Sequence, residues 1–115
     1  MVKQETGRTW ALEFEEAVEQ PHFERTSFRV RKKVFATMDE KKSTAVLKLS
    51  LVEQSVFCGF DKEAIYPVAG AWGTKGWTEV DLKRVDGEIF KDALTVSYRN
   101  TAPKKLAQKY ADENG

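Results

Sequence analysis

The sequence predicts a two-layer α+β domain: a single antiparallel sheet of about five strands, with helices packed on one face. Three observations predict it. Alternation of apolar and polar residues, the period of a half-buried strand, marks stretches between residues 27 and 49 and between 77 and 82. Helical periodicity flanks those stretches in the order helix, three strands, helix, two strands, helices, which is not the βαβ alternation of a parallel sheet. A chain of 115 residues also suits one core, burying about two-thirds of its unfolded surface without a metal or disulfide staple.

Taken in order, Trp10, Phe14, Ala17 and Val18 recur at helical spacing between Thr9 and Gln20, and Pro21 ends this first helix. Ser27 to Arg31 and Lys33 to Met38 read as the strands of a tight hairpin. The polar turn Asp39-Glu40-Lys41-Lys42 leads to a third strand, Ser43 to Leu49, with Ala45, Leu47 and Leu49 on one side. Leu51 to Cys58 has helical spacing. Ala64 to Val68 reads as an edge strand because Pro67 cannot donate to a central ladder, and Trp77 to Leu82 as another strand. Asp86 is the expected N-cap of a helix carrying the stripe Ile89, Phe90, Ala93, Leu94, Ser97 and Tyr98. A last amphipathic turn or two, Lys104 to Tyr110, follows Pro103 and precedes a polar tail expected to fray. The predicted core is Trp10, Phe14, Phe28, Val30, Leu47, Leu49, Val80, Leu82, Phe90 and Leu94. The whole chain is read as one domain, 1–115, with its core at about 9–110 and flexible ends.

Composition narrows the function classes. No apolar run approaches the roughly 18 residues of a membrane span, and no apolar stretch follows the charged N-terminal residues, so a cytoplasmic location is expected. Cys58 stands alone in an apolar context, which fits a buried thiol in a reducing compartment. The net charge of +1 is unevenly spread. Residues 1–24 hold two basic and six acidic side chains, a balance of −4; residues 25–48 hold eight basic and two acidic, a balance of +6. The second segment therefore predicts a positive face.

The series Ser27-Phe28-Arg29-Val30, Lys33-Val34-Phe35-Ala36, Lys48-Leu49, Gly76-Trp77, Val80-Asp81-Leu82 and Ala102-Pro103-Lys104-Lys105-Leu106 resembles the MmcQ/YjbR family of small bacterial proteins. The likeness spans roughly Trp10 to Tyr110, and its most distinctive part is the terminal Ala-Pro-Lys-Lys-Leu after a Ser-Tyr-Arg helix end. It implies a frataxin-like (CyaY-like) or secretion-chaperone-like fold, a family usually described as DNA-binding, and no catalytic activity; it implies no set of functional residues. The glycine-rich loop from Tyr66 to Lys75, with Pro67 and Trp72, departs from the family pattern.

Alternation in the hairpin sets Arg29 and Arg31 opposite Phe28 and Val30, and places Phe35, Lys48 and Trp77 on that same outward surface. Cations beside exposed rings make a platform for phosphates and stacked bases. The candidate contacts are Arg25, Arg29, Arg31, Lys33 and Lys48 for phosphate and Phe35 and Trp77 for stacking. Glu79 and Asp81 share the side of Trp77 and oppose a phosphate backbone; the plain structural reading is a solvated face with charges paired across strands.

Other constellations are weak. Gly70-x-x-Gly73-x-x-Gly76 with Lys75 invites a phosphate loop, but it leads into a strand, whereas nucleotide loops open a helix whose N-terminus completes the anion site. One histidine, His22, and one cysteine do not make a metal site. There is no nucleophile elbow, and His22 is the only imidazole base. Glu79 and Asp81 project about 7 Å apart, a spacing compatible with two-carboxylate hydrolysis but common on exposed strands.

The resulting expectation is a non-enzymatic binding protein, without cofactor or metal, whose partner is DNA held on the basic hairpin and sheet face. The rival is a protein-binding adaptor or chaperone-like module, which an exposed apolar patch larger than about 400 Å² on the sheet would favour. A monomer is the default, since nothing in the sequence fixes an oligomeric state.

Overall fold

The computed structural model describes residues 1–110; the tail expected to fray, Ala111 to Gly115, lies outside the described residues. The elements are α1 (Gln4–Leu12), β1 (Val18–His22), β2 (Arg25–Val30), β3 (Lys33–Asp39), β4 (Thr44–Lys48), α2 (Leu51–Phe60), β5 (Ile65–Pro67), β6 (Trp77–Asp81), α3 (Gly87–Thr101) and α4 (Lys104–Ala107). A 3₁₀ segment, Gly70–Lys75, joins β5 to β6, and another, Gln108–Tyr110, follows α4. The sheet is wholly antiparallel and six-stranded, in the order β1-β2-β3-β4-β6-β5.

The strand that raises the count to six is β1, where a continuous first helix over residues 9–20 is expected. α1 lies earlier and ends at Leu12 with Glu13 as its C-cap, and in the turn that follows Glu16 adopts a positive φ of 64°, which redirects the chain toward β1. The periodic apolar residues that suggest a longer helix divide between the two elements: Phe14 enters the core after the helix has ended, while Val18 begins β1 half-exposed. Pro21 pairs with Thr26 in the edge strand, where a missing N–H interrupts no second ladder.

α1 and α3 cover one face of the sheet. Gly7 lets α1 approach the sheet, since a Cβ there would stand 2.6 Å from the Met38 methyl carbon. α3 starts at the expected cap, Asp86, whose carboxylate accepts from the Glu88 and Ile89 amides at 3.1 Å. Its buried stripe, Phe90, Ala93, Leu94, Ser97 and Tyr98, packs toward β3 and β4. Tyr98 stacks on Phe14 at 4.6 Å between ring centres, and its hydroxyl donates to the Glu15 carbonyl at 2.6 Å, which fixes the end of the α1–β1 connection. Of the ten expected core residues, nine are buried; Trp10 is half-covered against Phe90, with the Lys91 ammonium 5.3 Å from its ring centre. α2 opens with a capping box, the Ser50 hydroxyl accepting from the Glu53 amide and the Glu53 carboxylate from the Ser50 amide.

Candidate functional site

Among the described residues no helix covers the other face of the sheet, and register determines what stands on it. Directly paired residues point to the same side, so the open face carries three rows running across the strands. One row holds two paired sets, Val18, Arg29 and Val34 across β1 to β3, and Lys48 and Trp77 across β4 and β6. The middle row holds Gln20, Ser27, Thr37, Val46, Glu79 and Tyr66. The third holds His22, Arg25, Asp39, Thr44 and Asp81. A groove of about 680 Å³ crosses this face between Phe23 and Arg25 at one end and Val68, Trp72 and Trp77 at the other, with Thr37, Val46 and Glu79 on its floor.

Four expected contacts therefore meet on one surface: Arg25, Arg29, Lys48 and Trp77. The Lys48 ammonium sits 4.9 Å from the Trp77 ring centre, its cross-strand neighbour. The Arg29 Nε donates to the Ser27 hydroxyl at 3.0 Å, and that hydroxyl donates to the Gln20 carbonyl at 3.0 Å, so the guanidinium is held flat along the sheet. Among the described residues, Arg25, Arg29 and Lys48 form no ion pair with a carboxylate.

The other three positions differ from expectation. Phe35 is fully buried, in edge contact with Phe14 at 6.0 Å and Tyr98 at 5.4 Å. The cause is a β-bulge: Phe28 pairs with Ala36 but Arg29 pairs with Val34, leaving Phe35 as the extra residue, and the parity that points it outward in a regular strand fails there. Arg31 does not continue the alternation of β2. It forms with Lys32 the two-residue turn into β3, both at positive φ, 51° and 72°. Its guanidinium binds the Glu16 carboxylate, and that hydrogen bond holds the Glu16 carboxyl below the ordinary carboxylate range, so this charge is already neutralised. Lys33 is exposed but pairs with Val30, which puts it on the helix side of the sheet.

Two elements of the site escape a sequence reading. Phe23, in the two-residue loop between β1 and β2, is 95% exposed and holds a φ of 59°. A bulky side chain in the left-handed region is a rare and costly conformation, and here it stands an aromatic ring at the end of the groove. Gln54 is the other. From α2 its buried Nε2 lies 3.0 Å from the Gly73 carbonyl, 3.1 Å from the Trp77 carbonyl and 3.1 Å from the Thr78 hydroxyl, so its two N–H groups serve three acceptors. This amide ties the glycine-rich loop to the start of β6 and so places the two tryptophans, whose rings meet edge-on at 6.3 Å. Glycine is required at two positions of that loop. A Cβ on Gly73 would stand 1.9 Å from the Val68 carbonyl oxygen, and one on Gly76, already at a φ of 103°, would stand 1.8 Å from that of Leu49.

The acidic residues on this face have distinct settings. Asp39 accepts from the Lys42 amide at 3.2 Å and Asp81 from the Lys83 amide at 3.0 Å, so both shape turns. Glu79 receives only a long contact from the Tyr66 hydroxyl, 3.4 Å to Oε2, and among the described residues its Oε1 has no partner. Burial, followed by the charges of Glu79 and Asp81, pushes the Tyr66 phenol up, which keeps it a donor. Among the described residues no group of three or more His, Cys, Asp or Glu is placed to hold a metal ion, and no helix is long and apolar enough to cross a membrane.

An antiparallel sheet with helices on one side and a grooved, aromatic other side defines the class as an open-faced two-layer α+β domain. The YjbR family model matches residues 12–100, and the chain belongs to that family. Among solved structures, the crystal structure of a Deinococcus radiodurans protein with a DUF419 domain is similar, with a TM-score of 0.76 and 20% identity over 99% of this chain and 85% of that one. At that identity the likeness shows the fold. No curated protein matches this chain.

Proposed function

We propose that the chain is a non-enzymatic binding protein whose open sheet face takes single-stranded nucleic acid, DNA in the first instance. The observation that carries this reading is a sheet face that no helix among the described residues covers, on which Trp77 stands beside Lys48 and next to Trp72, with Arg29 further across the same face, both cations without a carboxylate partner among the described residues. Rings on an open sheet stack on bases whose faces are free, which a duplex does not offer, and lysines and arginines along the rim follow the phosphates. Glu79 and Asp39 in the groove disfavour a backbone running down its floor, so the phosphates belong at the edges and the bases inside.

The test is fluorescence anisotropy of labelled single strands and duplexes at several salt concentrations. Single strands are expected to bind more tightly, and three phosphate contacts, at Arg25, Arg29 and Lys48, give a slope of log K against log salt of roughly −2. Trp77→Ala should weaken binding by about 1–3 kcal/mol per base stacked on it. Lys48→Ala should flatten the salt slope by roughly 0.7. No binding at low salt would end the reading.

One observation supports a second reading, docking of a protein. The outer side of α2, Leu51, Val52, Val56 and Phe60, is exposed and carries no charge. A partner held there leaves the groove free, so its binding would be indifferent to Trp77→Ala.

A further inference from the structure

The carboxylate on the groove floor is the feature a plain phosphate-and-stacking surface does not explain. Glu79 follows Trp77 by two residues on one face of β6, about 7 Å away along the strand. The two rings meet at 75°, so a base stacks on one of them, and one laid on Trp77 toward Glu79 brings its edge to that carboxylate. The two turn-forming acids of the face are engaged by backbone amides, whereas Glu79, among the described residues, has no partner at Oε1 and only the long contact from the Tyr66 hydroxyl at Oε2.

An ionised carboxylate is an acceptor only, with two oxygens side by side. Guanine is the base whose Watson–Crick edge sets two donors side by side, N1–H and N2–H. Adenine and cytosine each place a ring nitrogen acceptor next to their amino group, and thymine and uracil flank one N–H with two carbonyls. Each of those acceptors faces the carboxylate unfavourably.

We infer that the groove selects guanine, with Glu79 accepting both edge protons of a base stacked on Trp77. This rests on the single-strand reading above and adds a specificity to it. Lys48 stands on β4, the strand next to Glu79, in the adjoining row, so a phosphate flanking the base has that cation within reach while the base edge meets the acid. Arg29 and Arg25 stand on β2, three strands and about 14 Å away, where they meet phosphates further along the nucleic-acid chain.

The experiment measures binding of a short oligothymidylate and of three versions whose central thymine is replaced by guanine, adenine or cytosine, a design that avoids guanine quadruplexes. The wild-type protein is expected to favour the guanine version about tenfold, the scale of one good bidentate pair. Glu79→Gln removes a charge at constant shape, and its amide offers one acceptor in place of two. It should abolish the preference while binding plain oligothymidylate at least as tightly as wild type, which a merely structural role for Glu79 does not produce. Equal binding of all four strands by the wild type, or a guanine preference surviving in Glu79→Gln, overturns the inference and leaves single-strand binding standing. Failure of all four strands to bind at low salt removes the single-strand reading and this one with it.

Discussion

At the scale of single residues, the sharpest tension is between stability and the groove at Phe23. Its φ of 59° is a position glycine occupies without strain, and the ring that occupies it is almost wholly in solvent. Such strain costs about 1–3 kcal/mol and tends to mark sites where the side chain serves something other than folding. Phe23→Gly is therefore expected to raise the urea midpoint, by a gain of roughly 1 kcal/mol, while lowering affinity for a single strand several-fold. Unchanged affinity would make Phe23 an ordinary loop residue. Phe23 was invisible in the sequence because nothing in Pro-His-Phe-Glu-Arg announces a hairpin; neither Asn-Gly nor Gly marks the turn. Phe35 shows the complementary failure. Alternation is a sound guide to a regular strand, and a single bulge reverses it without leaving a mark in the composition. Arg29, Lys48 and Trp77 were legible because alternation holds along their own strands, the extra residue of the bulge falling in β3.

At the scale of elements, the tryptophan end of the groove depends on how α2, the glycine-rich loop and β6 are tied together. Gln54 is the tie, and removing it takes a side-chain donor from the Gly73 and Trp77 carbonyls, which then rest on the backbone amides of Gly76 and Val68 alone, and from the buried Thr78 hydroxyl. Gln54→Leu is expected to cost roughly 1–3 kcal/mol, to alter the near-ultraviolet circular dichroism of the tryptophans and to weaken single-strand binding without touching the strand itself. Retained stability and an unchanged spectrum would show that the loop holds its shape without the amide. The helix α2 was readable from its spacing, but a lone glutamine within it signals nothing until the loop it meets is known. The α1–β1 region shows the converse limit. Helical spacing there was real yet spanned a turn: the helix ends at Leu12, the left-handed Glu16 redirects the connection, and the edge of the sheet recruits the residues that follow.

At the scale of the whole molecule, the fold class and the one-sided placement of helices follow from the order of periodicities, and the structure matches both. The uneven charge of the sequence resolves differently from its totals. Acidic residues of the first segment neutralise part of the basic one, with Glu16 on Arg31, while Glu19 turns back to Arg8 of α1. What survives on the open face is a smaller set of cations beside two tryptophans and one underused carboxylate, a pattern suited to bases between phosphates better than to a duplex backbone. The central claim, that the open face is the binding surface, is tested most directly by mapping amide and indole chemical shifts of the labelled protein as a single-stranded oligonucleotide is added. The account predicts movement of the Trp72 and Trp77 indole N–H signals and of amides in β2, β4 and β6, with α2 and α3 silent. Shifts confined to the helices, or none at all, would contradict it.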